Sequence, residues 1–147
     1  IEEVATPEGF ARNPNLVQSF YNARRRQLLE GGVAPNAAHL ALADFEKKWI
    51  ASKRGDFLLV TQNVDNLHAR AGSKKLLHMH GELQKARCLR THQVFDWTAD
   101  IVKDSECECC RVKGTLRPHI VWFGEMPFEM DFIYEKLGRC DLFLAIG

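Results

Sequence analysis

Four of the five cysteines fall between Cys88 and Cys110. Cys107 and Cys110 have C-x2-C spacing, which lets two thiolates of one tight turn reach a single tetrahedral ion, and Cys88 is near enough along the chain to supply a third sulfur. Cys109 complicates the register. The position expected to complete a second knuckle at Cys88 is Thr91, with His92 as a possible substitute in a C-x3-H arrangement; a knuckle that holds no metal is the competing reading. Upstream, His78 and His80 flank Met79 at the end of an apolar run. Two apart on a strand, they would share a face, with Gly81 ending the strand, and an imidazole at such an end can take up a proton at neutral pH. Plain hydrogen-bonded histidines are the alternative. Gln62, Asn63 and Asp65 directly follow the Phe57 to Val60 run, where they either meet a polar small molecule at a strand's carboxyl end or simply build a turn with helix caps.

These residues need elements to position them. "RNPNLVQSFYNARRRQLLEGG" reads as a helix, with Asn13 as cap, Pro14 at the first position, apolar residues at helical spacing and a Gly31-Gly32 stop. A second helix opens after Pro35, carrying Leu42, Phe45 and Trp49. "DFLLVTQN" changes the period to that of a strand buried on both faces; a short helix through "VDNLHARAG" and a strand "KKLLHMH" complete a strand, helix, strand unit. After the cysteines come an expected strand "HIVWFGE", a helix "FEMDFIYEKLG" and a last strand "DLFLAIG". Alternating strands and helices imply an α/β domain interrupted by a cysteine-rich excursion.

The 147 residues suit one ordinary domain with a core, and 20 basic against 19 acidic residues give no electrostatic footprint for nucleic acid or an acidic membrane. No run has the roughly 18 to 20 apolar residues of a membrane helix, and the acidic start "IEEVATPEGF" is unlike a signal peptide. A cytoplasmic protein is expected, with its cysteine cluster read as metal ligation rather than disulfides and Cys140 as a core thiol.

"TQNVDNLH", "HMHGEL", the interrupted cysteine module, "LRPHIVWFGEMP" and "FLAIG" occur together and in order. In that series the chain resembles the sirtuin family of NAD-dependent protein lysine deacylases, specifically the class III, CobB-like bacterial branch. The resemblance implies an α/β fold: a Rossmann-like parallel sheet with helices on its faces, incomplete here, plus a small zinc-binding module. The expected division is 1–85 for the Rossmann-like part with the acyl-pocket helix, 86–115 for the module, and 116–147 for the return to the sheet.

The resemblance further implies that Gln62, Asn63, Val64 and Asp65 contact NAD, with Asn63 and Asp65 at the nicotinamide ring and Gln62 at the ribose. His80 would be the general base, taking a proton from a ribose hydroxyl after the acyl oxygen has displaced nicotinamide; water then releases lysine and leaves acyl-ADP-ribose. Val121, Phe123, Gly124 and Glu125 match the segment that binds the substrate peptide by strand addition. Tyr21 and Arg24, three apart on the first long helix, match the Tyr-x-x-Arg pair that binds the carboxylate of succinyl-lysine or malonyl-lysine; a guanidinium suits a carboxylate through two parallel hydrogen bonds. Cys88, Cys107 and Cys110 would hold Zn2+. The expected partners are acylated lysines of proteins, with neither membrane nor direct nucleic acid binding. The family's "GAGIS" and "GIPTFR" segments would precede Ile1 and its "GTS" would follow "AIG", so the chain reads as the central part of such an enzyme, or alternatively as an inactive homologue that binds peptide or acyl-lysine.

Overall fold

The computed structural model describes residues 3–147. The amino-terminal helices start where side-chain oxygens satisfy free backbone N–H groups. Thr6 Oγ1 accepts from the Gly9 N–H at 3.0 Å and opens α1 (Pro7–Arg12). Asn13 Oδ1 accepts from the Leu16 N–H at 3.1 Å and opens α2 (Pro14–Glu30), whose first residue is a proline that needs no N–H partner there. At α3 (Ala37–Ser52) the cap is reciprocal: Asn36 accepts from the His39 N–H, and the His39 ring accepts from the Asn36 N–H. Caps of this kind each contribute about 1 kcal/mol.

Strand β1 (Leu59–Thr61) pairs in parallel with β2 (Leu76–His78), and α4 (Leu67–Ala71) forms the crossover between them. This is the expected Rossmann-like strand, helix, strand unit. The Glu46 carboxylate of α3, 4% exposed, accepts the backbone N–H groups of Lys74 and Lys75 at 2.8 to 3.0 Å and so fixes the entry to β2.

A second, antiparallel sheet has the order β4-β3-β5, with β3 (Gly81–Cys88) between β4 (Val94–Asp96) and β5 (Leu116–Ile120). Here the expected arrangement of the histidines is corrected. Strand β2 stops at His78, a turn carries Met79 and His80, and Gly81 starts a strand instead of ending one. His78 and His80 therefore do not share a strand face. Strand β3 also runs across the expected boundary between residues 85 and 86.

Two apolar clusters meet on β3. Val17, Tyr21 and Leu28 of α2 pack with Leu83, Ile120 and Trp122. In the second, Ala86, Cys88, Ile101, Cys107 and Leu116 pack together. Val17 has no exposed surface, and burying such a side chain stabilises by about 1.5–3 kcal/mol.

Three further expectations are revised, while α5 (Met130–Gly138) forms where its pattern placed it. Strand β5 ends at Ile120, because the segment beyond it folds into a turn: Gly124 has φ +86° and the Glu125 carboxylate accepts the Trp122 N–H at 2.8 Å. "DLFLAIG" forms no strand, since none lies beside it among the described residues, and Leu142, Phe143, Leu144 and Ile146 are exposed. Cys140 is exposed too, not a core thiol. Among the described residues no helix is long and apolar enough to cross a membrane.

Candidate active site and metal centre

Backbone hydrogen bonds stitch three remote segments around His80. The Met79 N–H donates to the Thr61 carbonyl at 3.1 Å, and the Leu83 N–H to the Val64 carbonyl at 2.8 Å, so the end of β1 lies against the turn between β2 and β3. From the other side the Val121 N–H donates to the His80 carbonyl at 2.9 Å, and the Phe128 N–H to the Met79 carbonyl at 2.8 Å. Gly81 makes this crossing possible. Its φ is +84°, and a Cβ there would sit 2.0 Å from the His119 carbonyl oxygen and 3.1 Å from the Ile120 Cα.

Gln62 and Asn63 are exposed just beyond β1, and Val64 and Asp65 are half-buried. The Asn63 N–H donates to Thr61 Oγ1, and Asp65 Oδ1 accepts from the Leu67 N–H at 2.9 Å, which turns the chain into α4. The side chains of Gln62 and Asn63 thus stand at the carboxyl end of a parallel strand beside the His80 turn. His78 Nδ1 lies 3.3 Å from the Asn63 carbonyl and its Nε2 3.9 Å from Glu82, contacts of a structural histidine. His68, which the sequence pattern did not single out, is buried against His39 with ring centroids 4.5 Å apart. Burial first, then the neighbouring His39, lowers the His68 pKa from its usual value.

Tyr21 and Trp122 connect the α2 face to the same centre, with ring centroids 6.4 Å apart. Tyr21 is 5% exposed, and burial raises its phenol above the ordinary tyrosine value. Arg24 is exposed, its guanidinium 4.6 Å above the Phe20 ring. The pair therefore offers one buried neutral phenol and one exposed cation at the protein surface.

The peptide segment departs from expectation. Residues Val121 to Glu125 form a turn, in which the Val121, Trp122, Phe123 and Glu125 N–H groups all have intramolecular partners and only that of Gly124 lacks one among the described residues. Phe123 and Gly124 are exposed. The Glu125 side chain is held within the protein: Arg117 donates to both its oxygens at 2.7 and 2.9 Å, and Arg87 lies 3.6 Å away. Arg117, itself 4% exposed, also donates to the Ile120 carbonyl and lies 3.3 Å from the Trp122 ring centroid. This arginine lies within "LRPHIVWFGEMP", where nothing in the pattern gave it a role.

In the cysteine module Cys88, Cys107, Cys109 and Cys110 bring four sulfurs within 4.8 Å of one another. Cys88 and Cys110 are 3.8 Å apart and Cys107 and Cys109 3.3 Å. Sulfurs about 2.3 Å from a tetrahedral zinc ion would be about 3.8 Å apart, so this donor set fits Zn2+. The fourth sulfur of the cluster is that of Cys109; His92, offered as a substitute, is exposed with φ +61° and stands outside the cluster. The C-x-C-C run was the available signal. The Thr91 hydroxyl and the N–H groups of Thr91 and Arg90 stabilise the Cys88 thiolate, bringing its pKa down to about 5. For Cys109 its hydrogen bond with the Thr91 hydroxyl works in the same direction, but burial and the adjacent sulfurs outweigh it and push the thiol up to about 11. Without a cation the cluster retains protons; a metal would displace them.

Known proteins resemble this chain in sequence and fold. The NAD-dependent protein deacylase of Pasteurella multocida (strain Pm70) is 60% identical over 148 residues, a match covering all of this chain and 61% of that protein. Among solved structures, a complex of a mutant Sir2 homologue with ADP-ribose is 35% identical with a TM-score of 0.81, covering 95% of this chain and 54% of the other. Sir2 bound to acetylated peptide is 30% identical with a TM-score of 0.72, covering 92% and 55%. The chain thus spans little more than half the length of the relatives it matches. The Sir2 family pattern matches residues 1–147, and the chain belongs to the Sir2 family.

Proposed function

We propose that the protein containing this chain is an NAD-dependent protein lysine deacylase that removes acetyl groups and also succinyl and malonyl groups. One observation carries the reading: the end of β1, the His80 turn and the Trp122 turn are drawn together by backbone hydrogen bonds, with Tyr21 packed on Trp122. When bound, NAD supplies a glycosidic bond from which nicotinamide can leave. Gln62, Asn63 and Asp65, as amide and carboxylate groups at a strand's carboxyl end, are suited to hold its nicotinamide end, with Val64 as an apolar contact. His80 takes a proton from a ribose hydroxyl, and its place is set by the bond from Val121 to its carbonyl. The exposed Phe123 and Gly124 border the acyl-lysine, whose carboxylate, where present, meets Arg24 and the Tyr21 phenol. The four cysteines would hold zinc in a structural role, with no open coordination position for chemistry.

The test is mass spectrometry of acetyl-lysine and succinyl-lysine peptides incubated with NAD and the full-length protein. Acyl loss with appearance of acyl-ADP-ribose is expected, and His80→Tyr should abolish both while leaving the circular dichroism spectrum unchanged. Peptide binding without turnover in the wild type would favour the binding-module reading. An unchanged rate in the variant would remove His80 as the base.

A further inference from the structure

Helix α2 carries two buried stripes side by side. Val17, Tyr21 and Leu28 face the apolar cluster around Trp122. Gln18, Asn22 and Arg25, four and then three residues apart and hence on one face, bind backbone groups instead. Gln18 Nε2 donates to the Leu116 carbonyl at 2.8 Å. The Asn22 amide bonds Ile101 in both directions, donating to its carbonyl and accepting from its N–H, each at 2.9 Å. Arg25 Nε donates to the Leu83 carbonyl at 2.6 Å, and its Nη1 to the Ala99 carbonyl at 3.2 Å and to Asn22 Oδ1 at 2.9 Å. Ile101 packs in turn with Cys88 and Cys107, so this stripe fastens the helix to the cysteine module.

Arg25 has no exposed surface, and its hydrogen-bond partners are carbonyl oxygens rather than a carboxylate. An apolar face would fill this space without taking a charge out of water. What the polar stripe adds is direction: five hydrogen bonds to three separate segments fix both the height of α2 and its rotation about its own axis. Tyr21 and Arg24 each stand one residue before a member of that stripe. Side-chain tips lie about 5 Å from a helix axis, so a roll of about 20° would move the Arg24 guanidinium by about 2 Å, enough to lose two-point recognition of a carboxylate.

We infer that Asn22 and Arg25 are positioning residues that set acyl selectivity, holding α2 in the roll at which Tyr21 and Arg24 meet an acyl carboxylate; this rests on the reading of that pair given above. The experiment measures kcat and KM of the full-length protein on succinyl-lysine and acetyl-lysine peptides. Asn22→Leu and Arg25→Met should raise the KM for the succinyl peptide at least about tenfold while leaving the acetyl KM, and kcat on both, within about twofold. The double variant Asn22→Leu with Arg24→Met should be no worse on the succinyl peptide than Arg24→Met alone, because both act through one contact. If Arg25→Met does not fold, Arg25→Lys, which keeps the charge and a donor, carries the test with a selectivity loss of about threefold.

Equal losses on both peptides would overturn the inference in favour of a general packing role. No loss on either, with Arg24→Met still selective, would overturn it while leaving the carboxylate reading intact. A non-selective Arg24→Met would remove the carboxylate reading and the inference with it.

Discussion

Glu125→Ala and Arg117→Met break the same ion pair, yet they should not destabilise equally. The pair is bidentate, with N···O distances of 2.7 and 2.9 Å. Its gross attraction at about 4 Å between charge centres is about 4 kcal/mol for an effective dielectric constant of about 20. Both variants forfeit this, so the difference lies in what the surviving partner can find. Without Glu125, the Arg117 guanidinium keeps, among the described residues, the Ile120 carbonyl and the Trp122 ring, with 5% of its side chain exposed. A buried charge stripped of its partner costs about 3–5 kcal/mol. Without Arg117, the Glu125 carboxylate keeps the Trp122 N–H, has Arg87 3.6 Å away, and 24% of its side chain is already exposed. That loss should be about 1–2 kcal/mol, nearer the value of a solvent-screened pair.

Urea denaturation of the full-length protein, followed by tryptophan fluorescence, gives both values from midpoint shifts at constant m. Glu125→Ala should be the worse by about 2 kcal/mol. Acidity supplies an independent check. Burial alone would raise the Glu125 carboxyl, but hydrogen bonds from Arg117 and the Trp122 N–H, with the charges of Arg117 and Arg87, more than offset it and leave it below the usual range. A carboxyl depressed on folding gives stability that is present above its unfolded value of about 4.3 and is lost as pH falls through the folded one. The gap between wild type and Arg117→Met should therefore narrow in acid. Equal losses, a more damaging Arg117→Met, or a gap indifferent to acid would refute this account.

Gly81→Ala should cost about 3 kcal/mol or more, since a Cβ would meet the His119 carbonyl at 2.0 Å and φ is +84°; faster amide exchange at Val121 would report the opened crossing, and wild-type stability would contradict it. Zinc binding should release at least about one proton at neutral pH, because the Cys109 thiol stays protonated up to about 11 in the metal-free cluster. Calorimetry in buffers of different ionisation enthalpy measures the number. Cys109→Ser should lower zinc affinity at least about a hundredfold, and unchanged affinity would exclude Cys109 as the fourth ligand.

What the sequence made legible was local. The Asn13-Pro14 start of α2 and its Gly31 end depend on neighbours within one turn, and they stand where the pattern put them. The strand, helix, strand unit was legible because its period changes sharply at Phe57. Strand β3 was not. Its buried residues include Leu83, Ala86 and Cys88, which cannot alternate regularly, because the register against β5 shifts between Gly81 and Ala86. An irregularity of that kind erases the two-residue period that would have revealed the strand. The Arg117–Glu125 pair was invisible for another reason: on a regular strand an arginine and a glutamate eight residues apart lie far from each other, and only the turn at Gly124 returns one to the other. Cys109 was not legible as a ligand because it breaks the two-by-two knuckle pattern, although all four sulfurs converge.

The nearness of Cys88 to Cys110 also bears on how quickly the protein assembles. Cys88 pairs with Leu116 across the β3–β5 ladder, so bringing those strands together requires closing a loop of roughly thirty residues. Once a metal ties Cys88 to Cys110, the loop left to close is roughly half a dozen residues, and the entropy saved is about 1 kcal/mol. Pairing between distant parts of the chain becomes a nearly local event, and the His80 end of β3 inherits the gain because it belongs to the same ladder. Refolding in the presence of a chelator should accordingly be several-fold slower in stopped-flow fluorescence, which makes the cysteine cluster a guide for the order of assembly as well as a fixture of the finished protein.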